Sequence, residues 1–156
     1  MIKTNAMRLL SAAGISYTVK EYAVDVSDLS ALHAAESLDM PVEQVFKTLV
    51  LQGASGAYIV CCISAATELD LKKTSKAAGE KSAALIPMKE LYPLTGYVRG
   101  GCSPIGMKKK FPTFIDETAR LFDIIGVSAG ERGVQVALDP AVLADFLSAE
   151  FADITV

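Results

Sequence analysis

Apolar residues recur at helical spacing in some stretches of the chain and in short continuous or alternating runs in most of the others. Met7, Leu10 and Ala13 follow the helical period, with Thr4 placed to cap a helix over residues 5–13 and Gly14 to stop it. SYTVKEY, residues 16–22, reads as a strand. Leu29, Leu32, Ala35 and Leu38 place a helix over 28–38, ended by Asp39-Met40-Pro41, which opens a further short turn. The apolar runs at 45–53 and 57–64, joined by Ala54-Ser55-Gly56, predict a hairpin of two buried strands. Asp70 caps a helix that ends at Gly79, and Asp139-Pro140 starts a last one, because a proline in the first turn lacks only an N–H that has no partner there. Residues 82–87, 95–100, 112–116, 121–128 and 133–138 read as short strands, with a turn over 128–133. Helices and strands mix without regular βαβ alternation. The expectation is an α+β fold in one domain spanning residues 1–156, with a mixed, mostly antiparallel sheet and flanking helices.

Composition narrows the class. Hydrophobic residues make up 51% and charged residues 21%, values of a globular chain rather than a disordered one. No apolar run reaches the roughly 18 residues of a membrane span, and the first residues lack the pattern of a secretory signal. Cys61, Cys62 and Cys102 are odd in number and have no metal-ligand spacing, so a reduced cytoplasmic protein without metal or cofactor is the simplest reading. Being adjacent, Cys61 and Cys62 point to opposite faces of any strand. A net charge of −3 argues against general nucleic-acid binding but hides an asymmetry. Between residues 72 and 110 stand nine lysines and arginines against Glu80 and Glu90 alone. That is either a local footprint for a polyanion or the solvated faces of loops and a helix.

Lys47 is the only charge in Val45-Phe46-Lys47-Thr48-Leu49-Val50-Leu51, a strand apolar on both faces. A buried ammonium is costly unless it meets an anion or carbonyl in a cleft, or snorkels out at a strand end. The loop GGCSPIG follows, with a P-loop gap between Gly101 and Gly106, but Met107 stands where the phosphate-binding lysine belongs. Gly100, Gly101 and Cys102 could instead bring successive free N–H groups to a carbonyl or oxyanion, or merely form a tight turn. Cys102 is a candidate nucleophile or a small buried thiol, and lone His33 reads as a surface or packing residue. No pair of carboxylates stands out as acid and base.

Five segments occur together in order: Phe46-Lys47-Thr48-Leu49-Val50, Leu69-Asp70-Leu71-Lys72-Lys73, the run GGCSPIGMKK at 100–109, Pro112-Thr113-Phe114-Ile115-Asp116 and Val127-Ser128-Ala129-Gly130. The chain thereby resembles the YbaK-type branch of the aminoacyl-tRNA deacylases, relatives of the editing domain inserted in bacterial prolyl-tRNA synthetases. The resemblance implies an α+β fold and hydrolysis of the ester joining a wrong amino acid to tRNA, chiefly Cys-tRNA(Pro). It puts the family lysine on Lys47, a neighbouring threonine on Thr48, the glycine loop on Gly100, Gly101, Cys102, Ser103 and Pro104, a tyrosine on Tyr22 and a hairpin serine on Ser128. Gln135 stands where an aspartate is common, and Leu29 is the nearest counterpart of a common phenylalanine. The implied partners are the tRNA acceptor end, met by Lys72, Lys73, Lys76, Lys108, Lys109 and Lys110, and a prolyl-tRNA synthetase, with the chain a monomer or weak homodimer. Competing readings are a deacylase for another small amino acid, a module that holds charged tRNA or a synthetase without turnover, and a thiol-redox protein using Cys102.

Overall fold

A computed structural model describes residues 3–156. The first helix, α1 (Asn5–Ala12), starts at Thr4, whose hydroxyl accepts the Met7 N–H, and turns Met7 and Leu10 inward. Strand β1 (Thr18–Glu21) follows, then α2 (Ala31–Ser37), capped by Ser30, and a 3-10 turn at Val42–Gln44. The predicted hairpin is present as β2 (Phe46–Gly53) and β3 (Tyr58–Ser64). Asp70 caps α3 (Leu71–Ala78), which ends at a left-handed Gly79. Next come β4 (Ala83–Leu85), α4 (Met88–Thr95), β5 (Thr113–Asp116), a 3-10 turn at Glu117–Leu121, β6 (Ile125–Ser128) and β7 (Val134–Leu138). The carboxylate of Asp139 accepts two amides of α5 (Pro140–Leu147), and β8 (Glu150–Ala152) closes the list of elements. Among the described residues no helix is long and apolar enough to cross a membrane.

The fold is α+β, as expected, but the strands divide into two sheets. One is antiparallel, in the order β1-β7-β6; the other is mixed, in the order β4-β2-β3-β5-β8, with β5 parallel to both β3 and β8. Among the described residues one parallel bridge, Val45 to Gly126, ties them together.

Two apolar cores lie on either side of the mixed sheet. The larger gathers Met7, Leu10, Phe46, Cys62, Ile115 and Val136; the smaller gathers Leu51, Ile59, Cys61, Ile63 and Phe114, with Ala78 of α3 packed on it. Cys61 and Cys62 therefore do face opposite ways.

Two local readings change. The strand read over 95–100 is instead the end of α4 and a turn, with Gly96 left-handed at the helix C-cap. Helix α4 has no capping side chain and carries Pro93, which removes one backbone donor. Strand β8 was not foreseen; its three residues pair only with β5.

Asp116 is 1% exposed and accepts three hydrogen bonds: from the Ile154 N–H at 3.0 Å, the Thr118 N–H at 3.2 Å and the Thr118 hydroxyl at 2.6 Å. It joins β5 to the C-terminal segment. Replacing it with Ala leaves the buried Ile154 N–H and the part-buried Thr118 donors without this acceptor, and should cost about 2–3 kcal/mol in urea unfolding. Asp116→Asn keeps one acceptor oxygen and should lose less.

Candidate active site

The site follows from how β2 exchanges neighbours. On one edge β2 pairs with β3 along nearly its whole length. On the other it pairs with β4 only at Leu51, Gln52 and Gly53, and Ile86 N–H still reaches the Val50 carbonyl at 3.1 Å. At its far end the Val45 bridge hands the chain over to β6. Between these points the edge of β2 is open, and a cleft of about 480 Å³ sits there.

Phe46 to Val50 line the cleft, with Ser128 and Gln135 beside them. One wall is apolar and comes from the β4–α4 segment: Leu85, Ile86, Met88 and Leu91. The facing wall is Tyr22, Leu29, Ala31 and Ala34. Arg99, Gly100 and Cys102 complete it. Residues far apart in sequence, Tyr22, Lys47, Thr48, Gly100, Cys102, Ser128 and Gln135, thus share one cavity.

Lys47 is half-buried and pairs across to Ile63. Strand alternation sets it on the face of Leu49 and Leu51, whereas Thr48 faces the other way, its hydroxyl 3.8 Å from the Cys62 sulfur. Both reach the cleft because it opens at the strand edge rather than over one face. Among the described residues no carboxylate or other acceptor meets the Lys47 ammonium. The main chain of Thr48 adds a feature the sequence did not suggest. Gly53 N–H donates to Ala57 across the hairpin and the Val50 carbonyl faces β4, so alternation turns the Thr48 N–H and C=O to the open edge.

The glycine loop is held from several sides. Gly100 has φ +84°, and a side chain there would press on Leu29, its Cβ only 3.1 Å from that of Leu29. Gly101 packs so closely on the backbone at Glu131 and Arg132 that an added Cβ would lie 3.0 Å from the Arg132 nitrogen. The Arg132 Nε donates to the Arg99 carbonyl at 2.8 Å. Tyr97, overlooked in the sequence, lays its ring against Gly130 and donates its hydroxyl to the Ile105 carbonyl.

The expected row of open amides is shorter than the sequence implied. Gly101 N–H is already committed to the Val98 carbonyl at 3.0 Å. The N–H groups of Gly100 and Cys102, both at the cleft, meet no acceptor among the described residues. Ser103 is fully buried with its hydroxyl accepting the Ile105 N–H, and Pro104 lines a separate hollow beside Lys109 and Lys110; neither borders the cleft.

Burial pushes the Cys102 thiol up to about 12, with Thr95 partly opposing, and does the same to Cys61 and Cys62. That is unsuited to a nucleophile or a redox thiol. Ser128 is 8% exposed and its hydroxyl accepts the Gly130 N–H at 3.1 Å, which fixes the hairpin turn. Gln135 is 6% exposed, and its Oε1 is buried without a partner among the described residues. Tyr22 meets the His33 ring edge-on at 6.3 Å, which gives the lone histidine a packing role.

The basic residues divide. Lys72, Lys73 and Lys76 lie on α3, away from the cleft lining, and Lys73 is engaged by Asp153 at 3.1 Å and by the Thr155 carbonyl at 2.9 Å. Lys108, Lys109 and Lys110 are exposed beyond the loop. Lys110 reaches the Ser148 hydroxyl at 3.4 Å.

Residues 26–146 match the aminoacyl-tRNA editing domain, and the chain belongs to that family. It is 45% identical over 153 residues to EbsC of Enterococcus faecalis, a protein named as a candidate Cys-tRNA(Pro)/Cys-tRNA(Cys) deacylase, covering 98% of this chain and 93% of that one. The same fold is seen in the crystal structure of a candidate trans-editing enzyme for prolyl-tRNA synthetase, at a TM-score of 0.84, 24% identity and 99% coverage of both chains. The hypothetical protein APE2540 shares it at a TM-score of 0.87 and 19% identity, covering 96% of this chain and 97% of that one.

Raising a thiol pKa to about 12 cuts its thiolate fraction at pH 8 roughly a thousandfold relative to an ordinary cysteine. Cys61, Cys62 and Cys102 should therefore resist a thiol reagent in native buffer and all react in denaturant; rapid native labelling of Cys102 would return it to the list of nucleophiles.

Proposed function

We propose that the chain is a trans-acting deacylase that hydrolyses the ester of cysteine mischarged on tRNA(Pro), and of Cys-tRNA(Cys), in company with a prolyl-tRNA synthetase. The observation that carries the reading is a cleft holding a partnerless ammonium and open amides together, with no activated protein nucleophile beside them. The 45% identity to EbsC supports the same substrate.

Lys47 holds the terminal phosphate or the ester carbonyl. The Gly100 and Cys102 N–H groups polarise that carbonyl and stabilise the negative charge that builds on its oxygen. The unpartnered Gln135 Oε1 accepts from the substrate's α-ammonium, since an acceptor left unpaired in a buried place costs about 1–3 kcal/mol. The apolar wall suits a small side chain. Lys109 and Lys110 border the separate hollow beyond the loop and meet acceptor-stem phosphates, with Lys108 beside α4 adding to the same positive field.

The attacking atom comes from the substrate. The cysteine thiol gives up its proton, and its sulfur attacks its own carbonyl carbon. A C–S bond forms in a small cyclic thioester while the C–O bond to the ribose breaks, and the departing ribose oxygen takes a proton. Water then opens the thioester to free cysteine. On this route the enzyme-bound step is an elimination of tRNA by cyclisation, which places the chemistry with lyases as much as hydrolases. Proximity of thiol and carbonyl is worth roughly 7–11 kcal/mol of barrier, so an acid–base pair is unnecessary. Alanyl and prolyl esters lack the thiol and are spared. A synthetase pocket separates such small side chains by only about 1–3 kcal/mol, hence the need for a second sieve.

Time courses with Cys-, Ser-, Ala- and Pro-tRNA(Pro) test the reading. Cys-tRNA should be hydrolysed faster than Ser-tRNA by at least about tenfold, because a hydroxyl is the weaker nucleophile; equal rates would assign the attack to water. Lys47→Ala should lower kcat/KM by about 100-fold or more with its melting temperature nearly unchanged, since the ammonium makes no contact that folding needs. Wild-type turnover by that variant would remove Lys47 from the site.

A further inference from the structure

The 3′ end of a tRNA is single-stranded, so a substrate whose aminoacyl-adenosine fills the cleft must lead its next nucleotides out over the rim. The α4 side of that rim has a chemistry of its own. Met88 lines the cleft and is 58% exposed. Tyr92 stands four residues on along the same face of the helix, about 6 Å further along its axis, and is also 58% exposed. Among the described residues no aromatic ring stacks on it. A cation is fixed beside it instead: the Lys108 ammonium lies 5.2 Å from the ring centroid and 3.4 Å from the Pro93 carbonyl. The Lys108 N–H donates to the Thr95 carbonyl at 3.1 Å, and its aliphatic stem runs over Gly96. Arg99, exposed, borders the cleft beside Gly100.

We propose that Tyr92 is a stacking platform for the base next to the terminal adenosine, with Lys108 and Arg99 taking the flanking phosphates. An open aromatic face set among fixed cations is the chemistry that recognises single-stranded nucleic acid of any sequence. Folding alone gives no reason to leave a tyrosine ring so exposed one turn beyond a cleft-lining methionine and to lay a lysine along it. The geometry favours a base over a protein side chain because Tyr92 follows Leu91 and stands one turn beyond Met88, both of which line the cleft, and the charge laid along its ring is positive.

This platform rests on the deacylase reading, and two minimal substrates separate them: cysteine esterified to the 3′ end of adenosine, and cysteine esterified to the trinucleotide CCA. Tyr92→Ala should raise KM for the trinucleotide ester by roughly tenfold, within the range that loss of one base–aromatic stack produces, with kcat held. It should leave the adenosine ester unaffected. Tyr92→Phe should match wild type on both, since stacking needs the ring and not the hydroxyl. An unchanged KM for the trinucleotide ester in Tyr92→Ala overturns the platform. So does an equal loss on both esters, which would make Tyr92 part of the cleft's shape. If the wild-type protein hydrolyses neither ester, the deacylase reading falls and takes the platform with it.

Discussion

The cleft depends on a strand that lacks a neighbour for part of its length. β2 is paired with β3 along nearly its whole length, yet on its other edge β4 stops at Leu51 and β6 bridges the chain only at Val45, just before β2 begins. An interior strand with an open stretch exposes backbone donors and acceptors that would otherwise seek another chain. Here the opening is walled by α4 on one side and by the β1–α2 segment on the other, so it accepts a small ligand and excludes a further strand. The position of Lys47 at this gap is what allows a half-buried ammonium to go unpaired: it borders a polar edge and a cavity rather than a closed core.

The second requirement is a loop whose amides stay where they are put. Gly100 and Gly101 permit close approach to Leu29 and to the Arg132 backbone, and close approach by itself would leave the loop free to move. The Arg132 Nε bond to the Arg99 carbonyl and the Tyr97 bond to the Ile105 carbonyl hold it on both flanks. In the proposed reaction, donors held in place before the substrate arrives need no reorganisation as charge develops on the ester oxygen, which is how a site without an acid–base pair would contribute to rate. Silent thiols suit the proposed cyclisation, in which a reactive protein sulfur at the cleft would compete with the substrate's own.

Elements fixed by local chemistry were legible in the sequence: α1, α3 and α5 each follow a capping side chain, and the β2–β3 hairpin has continuous apolar runs around a short turn. α4 was not, because Pro87 precedes it in place of a capping side chain and Pro93 lies inside it. The 95–100 segment resembled a strand by its alternation, but Tyr97 is turned by its bond to Ile105, eight residues on. β8 exists only through its pairing with β5. For the site, the residue types around Lys47 and the glycine loop were readable, and the resemblance added Tyr22, Ser128 and Gln135. What remained hidden were facts of three-dimensional neighbourhood: the committed Gly101 amide, the Thr48 backbone at the open edge, the Lys73–Asp153 pair and the apolar wall of α4.

The alternating loyalties of β3 and β5 carry a consequence for how the molecule comes apart. Cys61 and Phe114 belong to the smaller core, while their immediate chain neighbours Cys62 and Ile115 belong to the larger. Melting either core strips one face from the same two adjacent strands and so removes the support of the other. Damage far from the cleft, on the α3 side, therefore reaches it as loss of the whole native state rather than as a local defect, and the chain has no half it can shed while keeping the cleft.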